Sequence, residues 1–259
     1  MSTRVTVATL NTRGFHLPGT RLSERYAAIA AGLDADLVCL QEVMTYRHLG
    51  LIRRGTKSYP SVLYGRGAGG PTGGLVVLSR SPVRGATFNW FERLSYRSQV
   101  PFLARMASMY SGALIVRLDG LRVFNTHLTA NTDGDWSAGN RFELLQRTQF
   151  GSLAGLVRAG ASPAVVCGDF NAPRHSTAYG ELLTRSGLLD AFDGDCPPTF
   201  HAEYLGPGHA AQCIDFVLVP AEATVERTGL LFADPVQLPG GPGHVSDHIG
   251  LTARIVLPS

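Results

Sequence analysis

Ala164-Val-Val-Cys-Gly-Asp-Phe-Asn-Ala-Pro173 is an apolar run of strand character that ends in Gly168 and delivers Asp169 and Asn171, one residue apart. In an extended chain residues i and i+2 face the same side, so this strand end presents a carboxylate and a carboxamide together. The first is a charged acceptor; the second offers both donors and an acceptor. The pair suits a phosphate, a metal-bound water, or both. Taken alone, the same stretch is also an ordinary strand-to-turn ending. Comparable polar groups at other strand ends of the chain decide between the two.

Working outward, residues 4–10 alternate like a half-buried strand and deliver Asn11. Residues 21–33 read as a helix, with Tyr26, Ile29, Ala30 and Leu33 on one face, and 37–40 as a buried strand leading to Gln41 and Glu42. Together they form a βαβ-like unit. Residues 44–73 are less regular. Residues 65–74 form a glycine-rich, flexible loop without the Gly-Lys-Ser/Thr ending of a phosphate cradle. Residues 74–79 are another strand. Residues 113–118 and 121–128 flank Asp119-Gly120, the signal for a type I′ hairpin, and the second strand delivers His127.

A helix over 140–158 follows, then the opening strand, then a short helix over 177–185 stopped by Gly187. Residues 212–219 are an apolar strand with Asp215 in its middle, where an ionised carboxylate is costly unless paired. Residues 224–232 read as a further strand, 240–246 as a loop, and Asp247-His248 open a final strand over 249–256. With no repeat and no linker-like tract, residues 1–259 read as a single domain.

The composition is globular, 44% hydrophobic and 17% charged, which excludes a disordered or fibrous chain. No apolar run reaches the ~20 residues needed to span a bilayer. The N-terminus shows no leader pattern, so the expected location is the cytoplasm. Cys39, Cys167, Cys196 and Cys213 have no C-x-x-C spacing, which argues against structural zinc. The net charge of +3 is small for a dedicated duplex-DNA nuclease, which gains affinity from a broad basic face.

The polar strand ends are thus Asn11, Glu42, His127, Asp169, Asn171 and Asp247 with His248, and Asp215 lies in one more strand. Oxygen donors without thiolates favour Mg2+ or Mn2+ over zinc, and histidines beside carboxylates transfer protons near neutral pH. No nucleophilic serine or cysteine stands in the pattern, which leaves water as the attacking group. Leu10-Asn11, Leu40-Gln-Glu-Val43, Asn125-Thr-His-Leu128, Gly168-Asp-Phe-Asn171, Ile214-Asp-Phe-Val217 and Ser246-Asp-His248 resemble, in order, the motifs of the endonuclease/exonuclease/phosphatase superfamily.

That resemblance implies an α/β fold, a four-layer sandwich of two packed, mainly antiparallel sheets flanked by helices. It implies Glu42 as principal metal ligand with Asn11 and Asp247 nearby, and His248 as general base paired with Asp215. It further implies Asp169 and Asn171 as positioners of water and phosphate, and His127 as a holder or protonator of a phosphate oxygen. A non-catalytic binding module would have lost one of these residues, and none is missing. The Gln-Glu-Val form and residues 73–82 look most like the sphingomyelinase and phospholipase C-like branch, so a phosphodiester substrate is expected. A phospholipid head group comes first, with transient membrane-surface contact, then nucleic acid, then a small phosphomonoester. Residues 88–97, rich in aromatics and arginine, are expected to face that substrate or to pack as an ordinary hairpin. The histidines outside the motifs, among them His16, His201, His209 and His244, are expected on the surface or in loops.

Overall fold

The computed structural model describes residues 3–14, 21–92, 100–133, 135, 137, 139–206 and 210–258. In chain order its elements are β1 (Thr3–Asn11), α1 (Leu22–Gly32), β2 (Leu37–Gln41), α2 (Tyr46–Gly55), β3 (Ser61–Leu63), β4 (Val76–Ser79), β5 (Gly85–Trp90), α3 (Phe102–Ser108), β6 (Gly112–Leu118) and β7 (Leu121–His127). There follow α4 (Glu143–Arg158), β8 (Ala164–Asp169), α5 (Thr177–Ser186), β9 (Leu188–Asp190), β10 (Asp215–Pro220), β11 (Thr224–Leu231), β12 (Val236–Leu238), β13 (Gly241–Gly243) and β14 (Gly250–Leu257).

The strands form two six-stranded sheets, ordered β11-β14-β1-β2-β4-β3 and β5-β6-β7-β8-β10-β9, with β12-β13 as a small ribbon. Each large sheet has one parallel pair, β1 with β2 and β7 with β8; the other pairings are antiparallel. Most central strands are apolar on both faces because both faces are covered. Val5, Val7, Leu37, Cys39 and Val77 meet Leu114, Val123, Val165, Cys167 and Val217 between the sheets. The outer face of the first sheet packs on Tyr26, Ile29, Leu49 and Ile52 of α1 and α2. The outer face of the second packs on Phe150, Leu153, Tyr179 and Leu182 of α4 and α5. Helix, sheet, sheet and helix make the expected four layers.

Departures from the sequence reading have local causes. In the stretch read as irregular, α2 is capped by Thr45, whose hydroxyl accepts from the His48 amide at 3.2 Å. Its inner face includes a buried polar residue, His48, whose ring meets that of Tyr26 at a tilt of 47°, and that breaks the apolar pattern. Residues 65–74 are not slack: Thr72 N–H donates to Gly65 at 2.8 Å, Gly67 N–H to Gly70 at 3.0 Å, and a 3-10 turn follows. Of the Asp119-Gly120 turn only Gly120 has positive φ, so it is not type I′, which needs both. Asp215 does not sit mid-strand but opens β10. Just before and at its start, Thr199 Oγ accepts from the amides of Ile214 and Asp215 at 3.0 and 3.1 Å. His48 is buried in α2 rather than at the surface or in a loop, His201 is in a loop as expected but buried, and His16 and His209 lie outside the described residues.

Candidate active site

Strand register does the first part of the assembly. His127 of β7 is the partner of Asp169 of β8, and Asp169 is the partner of Asp215 of β10. Three chemically able side chains therefore stand in one row across the second sheet. In the first sheet Asn11 is the partner of Gln41, so Glu42 emerges beside Asn11. The final turn delivers Asp247 and His248, fixed by Ser246. Its hydroxyl donates to the Asn11 carbonyl at 2.6 Å and accepts from the His248 amide at 3.2 Å.

The row closes on His248. Its Nδ1 lies 2.9 Å from Asp215 Oδ2, and its Nε2 lies 3.6 Å from Asp169 Oδ2. His127 Nε2 is 3.4 Å from the same Asp169 oxygen. The Asn11 carboxamide donates to Asp169 Oδ2 at 2.9 Å and to Glu42 Oε1 at 3.1 Å, and so links the two sheets' contributions. Asn171 donates its side-chain amide to the Leu128 carbonyl at 2.8 Å, and its backbone N–H to Asp169 at 2.8 Å.

The buried charges set each other's protonation. Burial pushes the Asp215 carboxyl up to about 6, with the charge of His248 pulling the other way and that of Asp169 adding to the rise. For His248 burial disfavours the imidazolium, yet the charges of Asp215 and Asp169 outweigh it and push the group up to about 10. The pair is an ion pair at neutral pH in the metal-free protein.

Backbone strain is concentrated here. Glu42, Asn171 and Arg13 have φ of 57°, 48° and 51°, a region non-glycine residues seldom occupy and one enriched at functional sites. Gly14 donates its N–H to Glu42 Oε2 at 2.9 Å, and a Cβ at this position would lie 1.7 Å from the Glu42 carbonyl oxygen. Arg13 Nε is 3.4 Å from Asp247 Oδ2, with its guanidinium over the Tyr204 ring.

A pocket of about 500 Å3 opens over these groups. Glu42, His127, Asp169, Asn171, Asp247 and His248 line it together with Met44, Tyr110, Leu128 and Phe200. Asn11 and Asp215 lie behind that lining as supports. A larger cavity of about 1090 Å3, at the sandwich edge between β9 and β11, contains none of the candidate residues.

Asp169, Asp215 and His248 offer three potential ligand atoms within 4.8 Å of one another. The 2.9 Å His248–Asp215 contact is a hydrogen bond, however, and leaves no space for an ion between them. The pocket-facing carboxylates are a better fit for a hard cation. Glu42 and Asp247 keep acceptor capacity beyond their present hydrogen bonds. Among the described residues no lysine or arginine lines the pocket, so an anionic phosphoryl group among these carboxylates needs a cation as counter-charge.

Sequence reading did not find the floor of the site. Gln41 Nε2 donates to Asn125 Oδ1 at 2.7 Å and to Thr9 Oγ at 3.0 Å. The Asn125 amide donates at 2.9 Å to the carbonyls of Leu40 and of Val76, both in the opposite sheet. The signal was the strand alternation, because Asn125 precedes His127 by two residues and therefore points into the same inter-sheet layer. Arg25 of α1 was also missed; buried, it donates to the carbonyls of Val245, Thr12 and Arg13 and braces both site loops. Of the aromatic stretch expected at the substrate, the described residues 88–92 are not in the pocket wall. Phe91 is buried against Ile115 and Phe150, Trp90 is 52% exposed elsewhere, and residues 93–97 lie outside the described residues.

A sequence model of the family described as "Endonuclease/Exonuclease/phosphatase family" matches residues 8–248. A Drosophila melanogaster protein provisionally assigned as a neutral sphingomyelinase is 25% identical over 203 residues, covering 76% of this chain. The match spans 46% of that protein, so the chain corresponds to about half its length. Sphingomyelinase C from Streptomyces griseocarneus superposes with a TM-score of 0.69 at 21% identity, covering 97% of this chain and 99% of that one. D. rerio TDP2 complexed with a single-strand DNA product superposes with a TM-score of 0.73 at 17% identity, covering 98% and 99%. At these identities the two structures speak for the fold.

Proposed function

The chain belongs to the endonuclease/exonuclease/phosphatase family, and from that premise we propose that it is a divalent-metal-dependent phosphodiesterase of phospholipase C or sphingomyelinase type. One observation carries the reading. The pocket lined by His248, held at 2.9 Å by Asp215, also contains Glu42, Asp169 and Asp247 and no lysine or arginine among the described residues. A nucleic-acid track would place arginine or lysine on successive phosphates. Here the walls are instead Met44, Tyr110, Leu128 and Phe200, suited to a single head group and the start of an apolar chain. The sphingomyelinase-like relative supports the same branch.

In this reading Glu42 and Asp247 would hold a Mg2+ or Mn2+ ion, with Asn11 behind them fixing the Glu42 carboxylate. When bound, it supplies Lewis acidity toward the phosphoryl oxygens and the leaving group. The chain's own residues do the rest. Asp215 fixes the His248 ring so that Nε2 faces the pocket. The ring is held protonated in the metal-free protein; a cation on the neighbouring carboxylates would favour its neutral form, and that form takes a proton from the attacking water. Asp169 and Asn171 position that water and the phosphate, and His127 donates to a phosphate oxygen. Inter-sheet hydrogen bonds of Gln41 and Asn125 hold the two halves of the site in register.

The test is a screen of the purified chain with Mg2+ or Mn2+ against sphingomyelin and phosphatidylcholine in mixed micelles, single-stranded and plasmid DNA, and a phosphomonoester. Release of the phosphorylated head group as the fastest reaction is expected. Faster cleavage of DNA would overturn the lipid assignment, and no turnover of any substrate would overturn the hydrolase reading.

A further inference from the structure

Helix α3 carries apolar residues on its outside. Phe102, Leu103 and Met106 are 63%, 79% and 38% exposed, and at 100° per residue they fall within an arc of about 100°. Ala104, on another side of the helix, is buried with Val100, Phe142 and Leu145 and anchors it to the body. Tyr110, just beyond the helix, is 62% exposed. Isolated exposed apolar residues need no explanation, but a contiguous group does.

Its position narrows the partner. Ala107 and Tyr110 line the candidate pocket with Glu42, His127 and His248, so the exposed face continues directly into the site wall. From residue 100 to residue 118 the chain contains no aspartate or glutamate, while Arg105 lies with its guanidinium 5.6 Å from the Phe102 ring. An apolar face with a cation at its margin matches the boundary between hydrocarbon and phosphate head groups. Arg105 alone at the margin of this face is too little positive charge for a nucleic-acid surface.

We propose that α3 is the element through which this protein docks on a phospholipid surface, with Phe102, Leu103 and Met106 entering the acyl boundary and the pocket mouth held against the head groups. The inference rests on the lipid reading of the site and adds to it where, and by which side chains, the aggregated substrate is met.

The experiment compares the wild-type chain, Phe102→Ser/Leu103→Ser and Leu103→Trp. Binding to phosphatidylcholine vesicles is measured by co-sedimentation in EDTA, so that no turnover is needed. Hydrolysis of sphingomyelin vesicles and of the soluble diester bis(4-nitrophenyl) phosphate is measured with Mg2+. Each large apolar side chain moved from water into an apolar phase is worth about tenfold in partitioning. The double serine variant should therefore bind vesicles about 100-fold more weakly and lose vesicle hydrolysis to a similar extent, with hydrolysis of the soluble diester unchanged. Leu103→Trp should bind as tightly as the wild type or tighter. Vesicle binding equal in wild type and double variant would overturn the docking role even if sphingomyelin is hydrolysed. Binding that depends on α3 in a protein that hydrolyses DNA and no lipid would overturn the substrate reading and leave the docking surface standing. A wild-type dimer in sedimentation equilibrium that the double variant dissociates would assign the face to a second copy of the chain and overturn the proposal.

Discussion

Replacing Asp215 by asparagine keeps the shape of the side chain and removes its charge, which isolates what the carboxylate does for His248. In the native site Asp215 Oδ2 stands 2.9 Å from Nδ1, with both groups buried. An asparagine either offers its carbonyl, which keeps the hydrogen bond without the charge, or turns its NH2 toward the ring and enforces the wrong tautomer. Breaking a buried charged pair by removing one partner costs about 3–5 kcal/mol. If that stabilisation serves the imidazolium formed as water is deprotonated, the loss converts at ~1.36 kcal/mol per decade to roughly 10²- to 10⁴-fold in kcat. This equals the range of about 10²- to 10⁴-fold known for loss of a general base. His248→Ala should cost a similar factor. Because the two act as one unit, the double variant should be little worse than the poorer single. The assay is kcat on bis(4-nitrophenyl) phosphate with saturating Mg2+, with thermal melts as a folding control. Removing the charge leaves the buried His248 without its partner, so the asparagine variant should also melt below wild type at pH 8, and kcat is compared at a temperature well below both melts. Two single losses that multiply in the double variant would refute the pairing.

Two further predictions concern the frame of the site. Asn125→Leu removes three buried hydrogen bonds between the sheets, each worth about 0.5–1.5 kcal/mol net. Stability should fall by roughly 2–4 kcal/mol and Tm by about 4–16 °C; a change under 2 °C in a thermal melt would show that the clamp contributes nothing. The second concerns pH. His248 is raised in the folded, metal-free protein, against burial, by Asp215 and Asp169. Its contribution is therefore complete below the unfolded value of 6.5 and is lost as pH rises through about 10. Melts in EDTA should show stability falling between pH 7 and pH 9, by at most about 1.4 kcal/mol per pH unit, with the slope reduced in His248→Ala. A wild-type Tm that rises across that interval contradicts the assignment.

What could be read from the sequence was what depends on local pattern. Alternation and apolar runs located β1, β2, β7 and β8, and a polar residue at the end of each run marked Asn11, Glu42, His127 and Asp169 as candidates. The charge of Asp215 among apolar residues called for a partner, and the fold places His248 Nδ1 at 2.9 Å. The unread parts depend on contacts distant in sequence. In α2 the buried His48 disguised the apolar face. In α3 the apolar face points outward, which inverts the usual pattern and leaves no core signature. Aromatic and arginine content placed residues 88–97 at the substrate, with a packed hairpin as the alternative. Just past β5, Phe91 donates its N–H to the Ser111 carbonyl and its ring packs in the core, and composition carries no information on which side of the chain is covered. The Gln41–Asn125 clamp joins residues 84 positions apart, a separation no local pattern spans.

The most direct test of the account is the metal dependence of phosphodiester hydrolysis in wild type and Glu42→Gln. Glu42 contributes a charge to the pocket, while its carboxylate accepts from Asn11 and from Gly14 N–H. Glutamine keeps the side chain's length and part of that hydrogen bonding but lacks the charge that binds a hard cation. Wild type should be inactive in excess EDTA and recover with added Mg2+ or Mn2+. Glu42→Gln should keep its fold by circular dichroism and remain without activity at metal concentrations that saturate wild type. Full turnover in EDTA, or a Glu42→Gln variant as active as wild type, would contradict the account.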